Sequence, residues 1–317
     1  MYQVAIIGAG QLGSRHLQGL KGASSPLAIT VMDSSKDSLQ VSKERYEAVS
    51  AVGEKTIEYV TSIQELPKDL DLVIIATGSK PRAAIIKSLL DNCSVKYLVL
   101  EKVLFPTLNE YNEIETLIKV KQVRCWVNCP RRMFGMYKQI KETIDTSKPI
   151  YMTNADEDWG LCCNAIHMID LFMYLTEETS YSVETNFLNN VIEESKRGGY
   201  IEMTGLLKIS TPKGNELKLI SEKNFTGEKN FLIENGDYLY TISEGEGFWL
   251  ENKKYEYAMP YQSQLTGILA DEILKTGGCS LTPYSLSALY HKPFIEAMLE
   301  KYNTIQETPD NKLLPIT

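Results

Sequence analysis

At 317 residues the chain exceeds the usual size of one hydrophobic core, so two domains are expected. Its composition, 43% hydrophobic and 23% charged, is that of a globular protein, and no run approaches the length of apolar chain that a membrane-spanning helix requires. A net charge of −8, with no basic cluster beyond pieces such as Arg131–Arg132, argues against nucleic acid as a partner, because phosphate binding needs a basic field.

The first apolar run, Val4 to Ile7, is broken at Gly8, so no secretion signal is expected. Cys93, Cys125, Cys129, Cys162, Cys163 and Cys279 form no CxxC pair and read as reduced thiols of a cytoplasmic protein. His16, His167 and His291 lie far apart in sequence, so no metal site is expected.

Along the first 120 residues, short β-type runs alternate with helical ones. Tyr2–Ile7 is a strand, Leu12–Leu20 a helix, Ala28–Met32 a strand and Lys36–Val49 a helix. Leu72–Ala76 is continuously apolar, as a parallel strand covered on both faces must be. Helix Pro81–Leu90, strand Tyr97–Leu100, helix Leu108–Lys119 and strand Val123–Asn128 complete a βαβα series, which implies a parallel sheet with helices on both faces. Val123–Asn128 is read as its last strand, placing a domain boundary near 125. A short helix, Phe134–Thr143, follows.

From Ile150 to Tyr257 one helix, roughly Cys163–Leu175, is followed by strand-like runs at Ser182–Leu188, Ile201–Ile209, Leu217–Ser221, Tyr238–Ile242 and Phe248–Leu250. The turn signals Arg197–Gly199, Pro212–Gly214 and Glu234–Asp237 separate them, which points to an antiparallel sheet. Helices Tyr261–Lys275 and Ser285–Tyr302 close the chain. The fold class is therefore α/β: a Rossmann parallel sheet in residues 1–125, and in 126–317 an α+β domain with an open, mainly antiparallel sheet. The last helices are available to pack back on the first domain.

Gly8-Ala-Gly10-Gln11-Leu12-Gly13 is a GxGxxG directly after a strand and opening a helix. Gly8 permits the tight turn, Gly10 lets backbone approach a pyrophosphate, and Gly13 lets helix and strand pack closely; the pyrophosphate rests on the free N–H groups of the first turn, at Gln11 and Leu12. The second strand ends at Asp33, about 20 residues on, where an acid meets the adenosine ribose hydroxyls. That carboxylate repels a 2′-phosphate and favours NAD over NADP, with Lys36 as the nearby counterweight. Thr77-Gly78 ends the LVIIA strand at the sheet edge where such folds bind ligands, so its backbone is expected near the cofactor.

Leu98-Val-Leu-Glu101-Lys102, after the GxGxxG…Arg15-His16 start, resembles the Gfo/Idh/MocA family of oxidoreductases across essentially the whole chain. The resemblance implies a Rossmann domain joined to a substrate domain with an open antiparallel sheet. It implies a catalytic acid/base or substrate anchor at Lys102 and a residue beside the nicotinamide ribose at Glu101. Oxidising a carbinol requires loss of a hydride and of the hydroxyl proton, and a partly buried lysine near a cationic ring is drawn toward acid/base range. The family usually has Glu-Lys-Pro, often with a cis bond. Val103 replaces the proline here, and a non-proline cis bond costs roughly 3 kcal/mol, which leaves the lysine's placement open.

In Trp159-Gly160-Leu-Cys-Cys163-Asn164-Ala-Ile-His167-Met-Ile-Asp170, helical spacing puts Cys162, Ile166, Ile169 and Met173 on a core stripe. Cys163, His167, Asp170 and Tyr174 form the adjacent stripe. The family pattern is Asp-x-x-x-His; His167 matches the histidine as the second acid/base or hydroxyl ligand, while Cys163 stands at the aspartate position, with Asp170 one turn on as a substitute partner. Asn164 is expected to contact substrate. Asn128 and Cys129-Pro130-Arg131-Arg132 resemble the family's asparagine-arginine stretch, so Asn128 and Arg132 are substrate candidates; Arg132 suits either a substrate anion or solvent. Trp159 suits either a sugar face or a domain interface.

The leading expectation is an NAD-dependent oxidoreductase moving a hydride between nicotinamide and a sugar, cyclitol or nucleotide sugar. The stretch Leu281–Lys292 resembles members in surface-sugar biosynthesis. The alternative is a non-catalytic sensor of dinucleotide or sugar, for which the missing aspartate speaks; a third reading is an enzyme that returns the hydride within one cycle. An uncovered sheet face leads us to expect a homodimer or homotetramer.

Overall fold

The computed structural model describes all residues, Met1–Thr317. The chain divides into two compact units: Met1–Leu104, Asn112–Asn128 and Pro260–Tyr284 form the first, and Phe105–Tyr111, Cys129–Met259 and Ser285–Thr317 the second. No helix is long and apolar enough to cross a membrane.

In chain order the elements are β1 (Tyr2–Ile7), α1 (Gln11–Lys21), β2 (Leu27–Met32), α2 (Lys36–Glu47), β3 (Lys55–Val60), β4 (Asp69–Ile75), α3 (Ser79–Asn92), β5 (Ser94–Leu100), α4 (Leu108–Val120) and β6 (Arg124–Val127). They continue as α5 (Gly135–Thr143), β7 (Ile150–Glu157), α6 (Leu161–Thr176), β8 (Ser182–Glu184), β9 (Glu193–Glu194), β10 (Ile201–Glu202), β11 (Gly205–Ser210) and β12 (Glu216–Glu222). The rest are β13 (Asn230–Asn235), β14 (Tyr238–Ser243), β15 (Gly247–Leu250), β16 (Lys253–Glu256), α7 (Gln262–Thr276), β17 (Thr282–Pro283) and α8 (Tyr284–Gln306).

The first sheet runs β17-β6-β5-β4-β1-β2-β3, all parallel except β17. Its central strands bury both faces, with Val4, Ile6, Leu72, Ile74, Leu98 and Leu100 wholly enclosed, which is why they read as unbroken apolar runs. The chain builds outward from β1 through β2 to β3, then returns to β4 on β1's other side. The ends of β1 and β4 therefore form the switch point where this fold binds ligands. Two strands escape pattern reading. β3 alternates half-buried and exposed residues at an edge, and β17 is only two residues long and closes the edge beyond β6. Val123–Asn128 is thus not the last strand, as expected; proline-bearing β17 takes the edge, where a missing N–H does no harm.

The second unit holds an eight-stranded sheet, β16-β15-β14-β13-β7-β12-β11-β8. It is mixed: β7 and β12 pair in parallel, and the remaining pairs are antiparallel. One face, with Met152, Leu217, Leu219, Ile233 and Tyr240, is buried; the other carries Tyr151 and Leu239, 46% and 48% exposed. The segment Glu234–Asp237 is only in part a turn: β13 runs on to Asn235, and Gly236-Asp237 make a two-residue hairpin with Gly236 at φ 61°.

Candidate functional site: a dinucleotide cradle and a polar helix end

At the switch point the backbone itself excludes side chains. Gly8 sits at φ 95°, a left-handed value that glycine takes without penalty, and a Cβ there would lie 3.0 Å from the Thr77 backbone nitrogen, so the β1 and β4 turns touch. A Cβ on Gly13 would fall 1.7 Å from the Gly8 carbonyl oxygen, whereas one on Gly10 meets nothing within 4 Å. Gly10 caps α1 with no side-chain bond to the first-turn N–H groups, and that turn carries no acid. A bare helix N-terminus beside an open glycine is a fitting seat for a pyrophosphate.

Asp33 accepts from the Ala9 N–H at 2.7 Å and from the Ser35 N–H at 2.8 Å. Its carboxylate is thereby tied to the glycine loop. Gln11 is exposed, and Arg45 donates to its side-chain oxygen at 2.6 Å; Leu12 beside it is half-buried. Thr77 and Gly78 stand between β4 and α3, and the Thr77 hydroxyl oxygen is enclosed without a partner.

Glu101 and Lys102 follow β5. Glu101 is buried, and its Oε1 accepts from His16 Nε2 at 2.8 Å and from Asn128 Nδ2 at 2.5 Å. Burial pushes the Glu101 carboxyl up, but the His16 bond and charge, the Asn128 bond and the Lys102 charge outweigh it and hold the group below its ordinary value. Lys102 is half-buried, and its peptide to Val103 is cis even without a proline. Arg82, wholly buried on α3, donates to the carbonyls of Thr77, Val103 and Leu104, so one guanidinium ties the two loops at the ends of β4 and β5.

In the second unit the core stripe forms as spaced: Cys162, Ile166, Ile169 and Met173 are all buried on α6. The neighbouring stripe is uneven. Cys163, His167 and Tyr174 are half-buried, but Asp170 is enclosed in an ion pair with Arg132 at 2.9 Å. Arg132 also lies 5.1 Å from the Tyr174 ring. Asn128, the other substrate candidate of that stretch, likewise turns inward, donating to Glu101 and to Gln262 at 2.9 Å. Pairing of β5 with β6 brings Glu101 to Asn128, and α6 brings Asp170 to Arg132; neither partner is visible in the local motif.

Trp159, Cys163 and Asn164 do come together. They border a cavity of about 480 Å³ at the start of α6, along with Glu202, Lys196 and Arg197. The Trp159 indole N–H donates to the Ile220 carbonyl at 2.7 Å, and Asn164 donates to the Trp159 carbonyl at 2.7 Å, which fixes the ring. Trp159 and Asn164 also border a second cavity, of about 290 Å³, with Arg131, Asn154 and Asp156. His167, one turn below Cys163, lines neither. Glu202 supplies a carboxylate at the helix end, accepting from the Cys162 N–H at 2.7 Å and the Cys163 N–H at 3.3 Å. Burial first, and then the Glu202 charge, push the Cys162 thiol well up, which makes it a poor nucleophile.

Sequence reading missed His16, Arg82 and Glu202. A histidine on the buried face of α1 is the one available signal; nothing in the local sequence marks Arg82 or Glu202, which the fold encloses.

Residues 2–129 match the Gfo/Idh/MocA family profile, described as an oxidoreductase family with an NAD-binding Rossmann fold. No curated protein matches the chain in sequence. Several solved structures share the fold. Biliverdin reductase from Synechocystis, in complex with biliverdin and NADP+, has a TM-score of 0.69 at 15% identity, over 94% of this chain and 98% of that one. An oxidoreductase from Agrobacterium radiobacter, in complex with NAD+, L-tartaric acid and magnesium, has a TM-score of 0.66 at 13% identity, over 98% and 96%. UDP-N-acetylglucosamine 3-dehydrogenase from Acidithiobacillus ferrooxidans has a TM-score of 0.67 at 12% identity, over 94% and 97%.

Proposed function

Since residues 2–129 carry the NAD-binding Rossmann fold of the Gfo/Idh/MocA oxidoreductase family, we propose that this chain is an NAD-dependent dehydrogenase or reductase acting on a sugar, cyclitol or nucleotide sugar. The observation that carries the cofactor choice is Asp33, a carboxylate bonded to the glycine loop itself at Ala9. A fixed negative charge there suits ribose hydroxyls and disfavours a 2′-phosphate.

The nicotinamide, when bound, accepts or returns the hydride. The chain's own residues have separate tasks. The first turn of α1, at Gly10, Gln11 and Leu12, binds the pyrophosphate through N–H groups, with Gly8, Gly13, Thr77 and Gly78 shaping the loops around it. Lys102 gives or takes the proton of the reacting oxygen, with the ionised Glu101 as its neighbour. In the second unit, Trp159 offers a fixed ring for stacking and Asn164 an amide for hydroxyl groups. His167 acts as a second proton-transfer group or hydroxyl ligand, and Cys163, at the rim of the larger cavity, sits against the substrate. A sugar fits this lining of one aromatic ring, amides and charges better than an apolar compound does. The bare sheet face bearing Tyr151 and Leu239 supports a homodimer or homotetramer. The composition and the absence of a CxxC spacing among the cysteines support a cytoplasmic location.

The test combines binding and turnover. NAD and NADP are titrated by intrinsic fluorescence, and a panel of sugars, cyclitols and nucleotide sugars is screened at the reduced-nicotinamide band. We expect NAD to bind more tightly, turnover on part of the panel, and Lys102→Ala to bind cofactor but lose turnover. Asp33→Asn should move the NAD/NADP preference by about tenfold or more toward NADP, the equivalent of roughly 1.4 kcal/mol. Binding without turnover across the panel selects the sensor reading; absence of dinucleotide binding sinks both.

A further inference from the structure

His16 is absent from the dinucleotide cradle and from the reacting groups named above, yet it is wholly buried and points a ring nitrogen at Glu101. Its Nδ1 faces the Thr266 hydroxyl at 3.0 Å and its Nε2 faces Glu101 Oε1 at 2.8 Å. The carboxylate oxygen can only accept while ionised, so Nε2 carries the proton. Asn128 Nδ2 reaches the same Oε1 from β6, while also holding Gln262 of α7. Gln262 in turn donates to Thr266 at 3.0 Å, closing a ring of polar side chains from α1, β5, β6 and α7. Both bonds converge on Oε1. The other oxygen, Oε2, accepts no bond from the protein and is not fully enclosed.

We propose that His16 and Asn128 are positioning residues for Glu101: they occupy Oε1 from two sides, fix the carboxylate as an anion beside Lys102, and leave Oε2 as the one oxygen offered to a bound ligand. The groups facing Glu101 are His16 from α1, Lys102 from its own segment, Asn128 from β6, and behind them Gln262 and Thr266 from α7. Lys102 acts on Glu101 through its charge, His16 through both its hydrogen bond and its charge when protonated, and Asn128 through its hydrogen bond. The offer of Oε2 to a ligand rests on the oxidoreductase reading; the placement and ionisation of Glu101 do not.

The experiment follows the Glu101 carboxyl directly. Protein labelled with ¹³C at glutamate side-chain carboxyls is titrated by NMR, the Glu101 signal being identified by its loss in Glu101→Gln. His16→Met removes the donor at similar volume, and His16→Gln keeps an N–H at nearly the same reach. The Glu101 midpoint should rise by about one pH unit or more in His16→Met and return toward the wild-type value in His16→Gln. Asn128→Leu should raise it as well, and serves if His16→Met does not fold. Unchanged titration in His16→Met and Asn128→Leu overturns the proposal, as does an equal shift in His16→Gln and His16→Met, which would assign the effect to packing or imidazole charge and not to the hydrogen bond. A missing turnover in every protein counts against the oxidoreductase reading alone, because the carboxyl titration is read without substrate.

Discussion

Gly10 and Gly13 look equivalent in the motif but stand in opposite surroundings. Gly13 has the Gly8 carbonyl oxygen where its Cβ would be, at 1.7 Å, and backbone cannot move aside as a side-chain end can. Gly10 has open space and an ordinary φ of −63°. Gly13→Ala is therefore expected to lower stability by about 3 kcal/mol, the scale of severe overpacking. Gly10→Ala should melt like the wild type while weakening dinucleotide binding by about tenfold. Thermal melts and fluorescence titrations of the two proteins separate these outcomes. Equal melting temperatures for both variants would contradict the packing role of Gly13.

Helix α7 reaches the first unit's sheet from a part of the chain more than 130 residues beyond β6, and close approach of small residues lets it dock on α1. A Cβ on Gly267 would lie 2.5 Å from the Gly19 carbonyl oxygen, and one on Gly19 2.6 Å from Thr266 Cβ. Asp271, one turn further along α7, accepts from the Ser24 N–H and hydroxyl, both at 2.7 Å, and from the Ser25 N–H at 2.9 Å. Burial raises the Asp271 carboxyl, but these bonds prevail and hold it far below the ordinary carboxylate range. A carboxyl depressed in the folded state stabilises fully above its unfolded value, about 3.9, and loses that contribution as pH falls toward the folded value. Asp271→Asn should thus cost about 1–3 kcal/mol at pH 7. The difference from wild type should shrink in denaturant melts at about pH 3 and below. A difference independent of pH would assign the effect to shape and not to charge.

For the molecule as a whole, the open face of the eight-stranded sheet is the feature with the widest consequence. Strand register lines up Tyr151, Glu234 and Leu239 across β7, β13 and β14, and in the next row Thr153, Leu232, Thr241 and Trp249. A face so mixed, with two exposed large apolar side chains, suits burial against a second copy. Leu239→Lys places a charge in that row and should convert the oligomer to monomer in sedimentation velocity, with melting otherwise near wild type. A wild-type monomer at tens of micromolar would remove this reading.

The Rossmann sheet was legible in the sequence because buried parallel strands must be apolar throughout, and because GxGxxG with Asp33 twenty residues on meets a backbone need that few other residues satisfy. The core stripe of α6 was legible for a similar reason, since helical spacing alone assigns its face. Partners were not. Periodicity says which side of an element faces inward, but not which distant side chain meets it there. So Asn128 and Arg132, expected to contact substrate, also meet Glu101 and Asp170, and His16 gains a place beside Glu101 only when α1 lies over the end of β5. Edge strands β3 and β17 were hidden because an edge needs no continuous apolar run. Local chemistry and spacing determined the sheet, the glycine loop and the Glu101-Lys102 step that follows β5. Tertiary packing alone decided which polar groups are spent on one another, because desolvation favours pairing a buried group with whatever partner the chain brings to it.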